Sequence, residues 1–102
     1  MVSVIIPNYN GEKHLRECLD SLKIQSFGKF DIIIVDNNSS DKSVDIISNE
    51  YSYVKLINME SNTGFSKAVN AGIKFALKNG ASGVSLFGKV DEKVLAVLQK
   101  FK

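Results

Sequence analysis

The chain has no tryptophan, a single proline and a single cysteine among its 102 residues. Cys18 alone closes no intrachain disulfide and has no second thiolate for a zinc knuckle, which excludes a disulfide-stapled secreted scaffold and fits a reducing, cytoplasmic setting. One proline and seven glycines are too few for a collagen-like or low-complexity chain. An excess of one charge sign is lacking too. The 13 Lys and Arg against 11 Asp and Glu leave a net +2, which excludes the electrostatic footprint of a nucleic-acid-binding protein. No apolar run approaches the roughly 20 residues that span a bilayer. The opening Met1-Val2-Ser3-Val4-Ile5-Ile6-Pro7 has no basic flank or cleavage-like site, so neither export nor a transmembrane anchor is expected. Membrane association, where it occurs, is then peripheral and made through a partner.

What the chain does have is 44% hydrophobic and 24% charged residues, the balance of a soluble domain, and a length that suits one folding unit spanning 1–102. Short apolar runs alternate with segments of helical period, the order required by a parallel sheet with crossover helices. Residues 2–6 read as a first strand, closed by the turn formers Pro7-Asn8-Tyr9-Asn10-Gly11. Asn10 is placed to cap a helix whose Leu15, Cys18, Leu19 and Leu22 form one stripe, with His14 and Glu17 on the opposite, solvated side. Residues 30–35 include the unbroken run Ile32-Ile33-Ile34-Val35, expected in the middle of a parallel sheet and buried on both faces. Six polar residues, 36–41, then precede a short helix carrying Val44, Ile46 and Ile47.

A third strand over 54–57 leads to a polar loop over 58–64. The next helix, 65–78, sets Phe65, Ala68, Val69, Gly72, Phe75 and Ala76 on one side and ends at Asn79-Gly80. Residues 83–87 form a fourth strand, and Asp91 caps a last helix with Val94, Val97, Leu98 and Phe101 at helical spacing. The fold expected is a three-layer α/β/α sandwich with a mainly parallel sheet of about four strands, a count bounded by a length of roughly 100 residues.

Ligands of open parallel sheets bind beyond the carboxyl ends of the strands, where loops converge and helix N-termini offer unpaired N–H groups. The less ordinary residues stand at those places: Pro7, Asn8, Tyr9 and Asn10 after the first strand, Asp36, Asn37, Asn38 and Ser39 after the second, and Asn62, Thr63, Gly64 and Phe65 after the third. Asp36 can accept from a base N–H or a ribose hydroxyl, and Tyr9 can offer a ring face to a flat heterocycle. A nucleoside fits that pair. The same residue types also make turns and caps in α/β proteins that bind nothing there. No Gly-x-Gly-x-x-Gly or P-loop pattern follows the first strand, which argues against a dinucleotide-binding or P-loop domain.

Three stretches in order, 2–11 with Ile6-Pro7-Asn8-Tyr9-Asn10-Gly11, 34–41 with Val35-Asp36-Asn37-Asn38-Ser39-Ser40-Asp41, and Asn62-Thr63-Gly64-Phe65 continuing to Asn70-Ala71-Gly72-Ile73, resemble the N-terminal half of a family 2 glycosyltransferase of the GT-A fold. The Asn37-Asn38-Ser39 and Gly64-Phe65 variants look most like its rhamnosyltransferase-like branch. The resemblance implies a site for a UDP-, dTDP- or GDP-linked sugar among Pro7, Asn8, Tyr9, Asp36, Asn37, Asn38, Asn62 and Gly64. In it Pro7 and Tyr9 border the base, Asp36 contacts base or ribose, and the 62–64 loop shapes the floor.

The family's Asp-x-Asp-type motif, whose carboxylate holds Mg2+ or Mn2+ against the diphosphate, has no counterpart in Val84-Ser85-Leu86-Phe87-Gly88-Lys89-Val90-Asp91-Glu92. The simplest alignment places a deletion of about three residues there, within the uncertainty of element boundaries. Without that motif, and without the acceptor half with its base, no catalytic or metal-binding residue is assigned. The expectation is therefore a short transferase form that does not turn over alone. The alternative is a non-catalytic nucleotide-binding module, or one that self-associates through an exposed sheet edge.

Overall fold

Successive side chains of a strand point to opposite faces of a sheet, and Val4 and Ile6 accordingly enter one core while Ile5 enters another. The computed structural model describes residues 2–24, 30–86 and 97–100. Its elements in chain order are β1 (Val2–Asn8), α1 (Glu12–Ile24), β2 (Phe30–Asp36), α2 (Ser43–Glu50), β3 (Lys55–Asn58), α3 (Phe65–Lys78), β4 (Gly83–Leu86) and β5 (Val97–Lys100). The sheet order is β3-β2-β1-β4-β5, the first four strands running parallel.

Ile32 and Ile34 of β2 join Val4 and Ile6 under α1 and α2, where Leu15, Leu19, Leu22 and Ile47 complete the first core. Ile33 and Val35 join Ile5 beneath α3, where Ala68, Ala76 and Val84 complete the second. This is the expected three-layer arrangement, with β1 and β2 covered on both faces. Small residues let α3 lie close: a Cβ on Gly72 would stand 2.5 Å from Ile5 Cγ2 and 3.1 Å from Val35 Cγ2. On the other face, Arg16 of α1 makes a two-pronged ion pair with Glu50 of α2 (2.8 and 2.6 Å). The Tyr51 hydroxyl donates to Asp20 at 2.9 Å, and burial together with that bond pushes its pKa up to about 12. Cys18 lies in the core, where burial pushes its thiol up to about 11, the setting of an inert cysteine.

The end of the chain differs from the sequence expectation. Val97 and Leu98 were placed on a closing helix, but Val97–Lys100 is a strand antiparallel to β4, with Leu86 opposite Val97 and Gly83 opposite Lys100. The flank of β4 away from β1 carries backbone donors and acceptors, and a strand satisfies them where a helix would not. Among the described residues the sheet therefore has five strands rather than about four. Asp91, its capping role and the Gly88-Lys89 segment lie outside the described residues. No described helix is long and apolar enough to cross a membrane.

Candidate functional site

The loops after β1, β2 and β3 meet at the carboxyl edge of the sheet. Asn8 and Asp36, the last residues of β1 and β2, are register partners, and Asp36 is in turn the partner of Asn58 on β3. Past the strand ends the Asn37 N–H donates to the Asn8 carbonyl and the Met59 N–H to the Asp36 carbonyl, both at 2.8 Å. Asp36 is only 1% exposed. Its Oδ1 accepts from Asn8 Nδ2 at 2.9 Å and Ser39 Oγ at 2.7 Å, and its Oδ2 from the Ser39 N–H at 2.9 Å. A buried carboxylate with both oxygens engaged holds the two loops together beneath the surface. Asn8 is buried beside it, and its Oδ1 has no hydrogen-bond partner among the described residues.

Asn37 ties in the third loop. Its Nδ2 donates to Asn62 Oδ1 (2.8 Å) and the Gly64 carbonyl (3.2 Å), while its Oδ1 accepts from the Thr63 N–H (2.9 Å) and Thr63 Oγ1 (3.0 Å). Gly64, at φ +85°, occupies the left-handed region that glycine enters without strain. Asn38, at φ +64°, is exposed at the outside of its turn.

The expected cap of α1 by Asn10 is also corrected. Asn10 adopts φ +52°, its N–H donates to Ser39 Oγ at 2.9 Å, and its Oδ1 accepts from the N–H groups of Ser40 (2.8 Å) and Asp41 (3.3 Å). The cap comes from Asp41, whose Oδ2 accepts from the Glu12 N–H at 3.1 Å while its Oδ1 accepts from the Ser43 N–H at 2.9 Å. One carboxylate thus serves the N-termini of α1 and α2, and Glu12 Oε1 answers by accepting from the Lys42 N–H at 3.0 Å. Burial alone would raise the Asp41 carboxyl, but contacts with Ser43 and with the Glu12 backbone outweigh it and hold it below its ordinary value of 3.8. A depressed folded pKa gives stability that is present above 3.8 and lost as pH falls through the lower folded value. Urea midpoints measured from pH 5 to pH 2 should fall below about pH 4, and less steeply in Asp41→Asn. Equal pH profiles for the two proteins would contradict the double cap.

Above these tied loops lies a cavity of about 860 Å³. Pro7, Asn8, Tyr9, Asn37 and Asn62 line it, so five of the eight expected site residues come together, whereas Asp36, Asn38 and Gly64 are not in its lining. The other lining residues were not assigned from sequence, among them Phe65, Lys13 and His14. Phe65 was expected on the buried stripe of α3, yet burial there starts at Ala68 and Phe65 is 43% exposed toward the cavity. Lys13 and His14, on the exposed side of the first turn of α1, add basic groups to the wall. The cavity's two carboxylates, Glu12 and Asp41, are engaged at helix N-termini, and the described residues contain no cluster of three His, Cys, Asp or Glu. These residues do not fit a divalent cation.

An open parallel sheet with a polar, partly aromatic cavity over its carboxyl edge defines a ligand-binding α/β domain. Residues 3–79 match the profile described as Glycosyl transferase family 2, and the chain belongs to that family. It is similar to the uncharacterized glycosyltransferase YibD of Escherichia coli (strain K12), with 40% identity over 78 residues that cover 74% of this chain and 22% of that protein. In structure it is similar to S. aureus TarS 1-349 in complex with UDP, with a TM-score of 0.75, 33% identity and coverage of 88% of this chain and 27% of that one. The same protein in complex with UDP-GlcNAc gives a TM-score of 0.76 at 32% identity, over 88% of this chain and 26% of that one. The chain thus spans about a quarter of the length of these relatives. They do not specify a rhamnosyltransferase-like branch.

Proposed function

We propose that the cavity receives the nucleoside diphosphate of a nucleotide-diphospho-sugar, making this chain the donor-binding part of a glycosyl transfer reaction. The observation that carries this reading is Tyr9, 54% exposed at the cavity on a backbone pinned through Asn10 to Ser39, Ser40 and Asp41. A large ring held on a fixed loop presents a preorganised face to a base, and its conformational cost is met by the fold rather than by the ligand. The cavity volume of about 860 Å³ suits a ligand of that size. Binding of UDP and UDP-GlcNAc by the related TarS supports the assignment. Lys13 and His14 add donors for an anionic or carbonyl-bearing ligand, while Asp36 and Asn37 position the loops.

For this chain by itself the proposal is binding without transfer, since both carboxylates in the cavity wall are occupied by backbone donors and neither is poised as a base. Calorimetric titration with UDP-, dTDP- and GDP-sugars, with and without Mn2+, tests it. Binding without Mn2+ that is lost in Tyr9→Ala is the expected result. Absence of binding by every nucleotide sugar would sink the donor-site reading, and metal-dependent release of nucleoside diphosphate in the presence of an acceptor would overturn the binding-only part.

A further inference from the structure

The net charge of +2 conceals an uneven distribution. On one side of the sheet Glu12, Glu17 and Asp20 of α1 and Asp45 and Glu50 of α2 outnumber the cations of those helices, whereas α3 on the other side carries Lys67, Lys74 and Lys78 and no acidic residue. A helix turns by about 100° per residue, so these three lysines fall within about 40° of one another. They lie opposite Ala68, Val69, Gly72 and Ala76, which bury α3 on the sheet. All three are exposed and make no ion pair among the described residues, and they form a straight row about 16 Å long. Leu77 is 44% exposed beside the row. Asp31 and Lys55, the charged residues of the sheet face beneath α3, are of opposite sign and lie a layer lower.

We infer that the outer row of α3 rests on an anionic lipid surface, its lysines facing the headgroup phosphates and Leu77 the boundary with the acyl chains. The inference does not depend on the donor-site reading. A straight row on the side of a helix away from its sheet meets a plane along its whole length, and the long lysine stems let the charges settle among headgroups. Recognition of one phosphate or carboxylate on a protein partner favours the planar fork of arginine. The only arginine, Arg16, is paired with Glu50 on the opposite side of the sheet. The row therefore complements a diffuse negative surface, to which each lysine raises partitioning about fivefold. From sequence, membrane contact was assigned to a partner; here the chain carries its own. The cavity lies past the N-terminal end of α3, outside the area that this contact covers.

Sedimentation of the full chain with lipid vesicles at low ionic strength tests it. Phosphatidylcholine vesicles containing about one third phosphatidylglycerol should capture the protein, vesicles of phosphatidylcholine alone should not, and added salt should release it. The triple variant Lys67→Gln, Lys74→Gln, Lys78→Gln is expected to bind about a hundredfold more weakly with an unchanged circular dichroism melt. Lys23→Gln combined with Lys42→Gln, which removes two cations from the other side, should leave capture nearly as it was. Because the chain has no tryptophan, Leu77→Trp supplies a single fluorophore whose emission should shift to the blue on anionic vesicles, whereas that of Tyr53→Trp, on the side of α2, should not. Failure of anionic vesicles to capture the chain would overturn the inference, as would equal capture by neutral vesicles or an equal loss in the Lys23 and Lys42 variant. Tighter capture of double-stranded DNA through the same three lysines would overturn it too, and would make this face a nucleic-acid surface.

Discussion

A valine at position 72 is expected to lower the thermal midpoint by about 10 °C or more, the effect of about 2 kcal/mol of overpacking in a domain of this size. The Cβ alone would stand 2.5 Å from Ile5 Cγ2, 3.1 Å from Val35 Cγ2 and 3.4 Å from Ile5 Cγ1. Ile5 and Val35 are fully buried on the two central strands and have nowhere to turn. Replacing a mid-helix glycine ordinarily favours the helix by several tenths of a kcal/mol, so the two effects have opposite signs. Overpacking should win because the obstruction is core side chain packed on sheet backbone. A circular dichroism melt that shows Gly72→Val as stable as the parent would refute the close approach of α3. Displacing α3 should also shift Phe65, so weakened UDP binding is expected alongside the lower midpoint.

Asp36→Ala should be at least as damaging, and for an electrostatic reason. The substitution leaves Asn8 Nδ2, Ser39 Oγ and the Ser39 N–H without the carboxylate that accepts from them. A buried donor left unpaired costs about 1–3 kcal/mol, so a total loss of about 3 kcal/mol is expected once some of these groups find water. Nucleotide binding should disappear with it, although Asp36 does not border the cavity, because Ser39 would no longer fix Asn10 and hence Tyr9. Tyr9→Ala separates the two roles: affinity should fall while the urea midpoint stays unchanged. An Asp36→Ala protein of parental stability that fails to bind would instead assign Asp36 a direct contact with the ligand.

How legible the fold and site were depended on how local each cause was. The unbroken β-branched run of residues 32–35 marks β2 without any tertiary information, and the three polar loops after β1, β2 and β3 follow from strand ends alone. Val97 and Leu98 show the limit of periodicity. Their spacing suits a helix, but pairing with the open flank of β4 decides their structure, and that neighbour lies more than ten residues away. Asn10 likewise carries the usual signal for a helix cap, yet the donors it serves are the N–H groups of Ser40 and Asp41. An acidic residue at a strand end suits both a ligand contact and a loop tie, and only the folded chain displays the bonds by which Asp36 makes the second. Phe65 was concealed by a pattern that it continues, since the helical stripe runs through it while the sheet beneath α3 ends before it.

The strand that the chain reaches first sits in the interior of the finished sheet. Val2 pairs with Phe30 on one side and with Gly83 on the other. During synthesis β1, β2 and β3 can associate in order, with α1 and α2 closing over them, but the other flank of β1 waits until β4, on the far side of three helices, has also been made. Closing so long a loop adds little to the equilibrium cost and much to the search time. For that interval the protein displays an apolar strand with free hydrogen-bonding groups to every nascent neighbour. The yield on refolding should accordingly fall as concentration rises, with β1 as the point where chains capture one another.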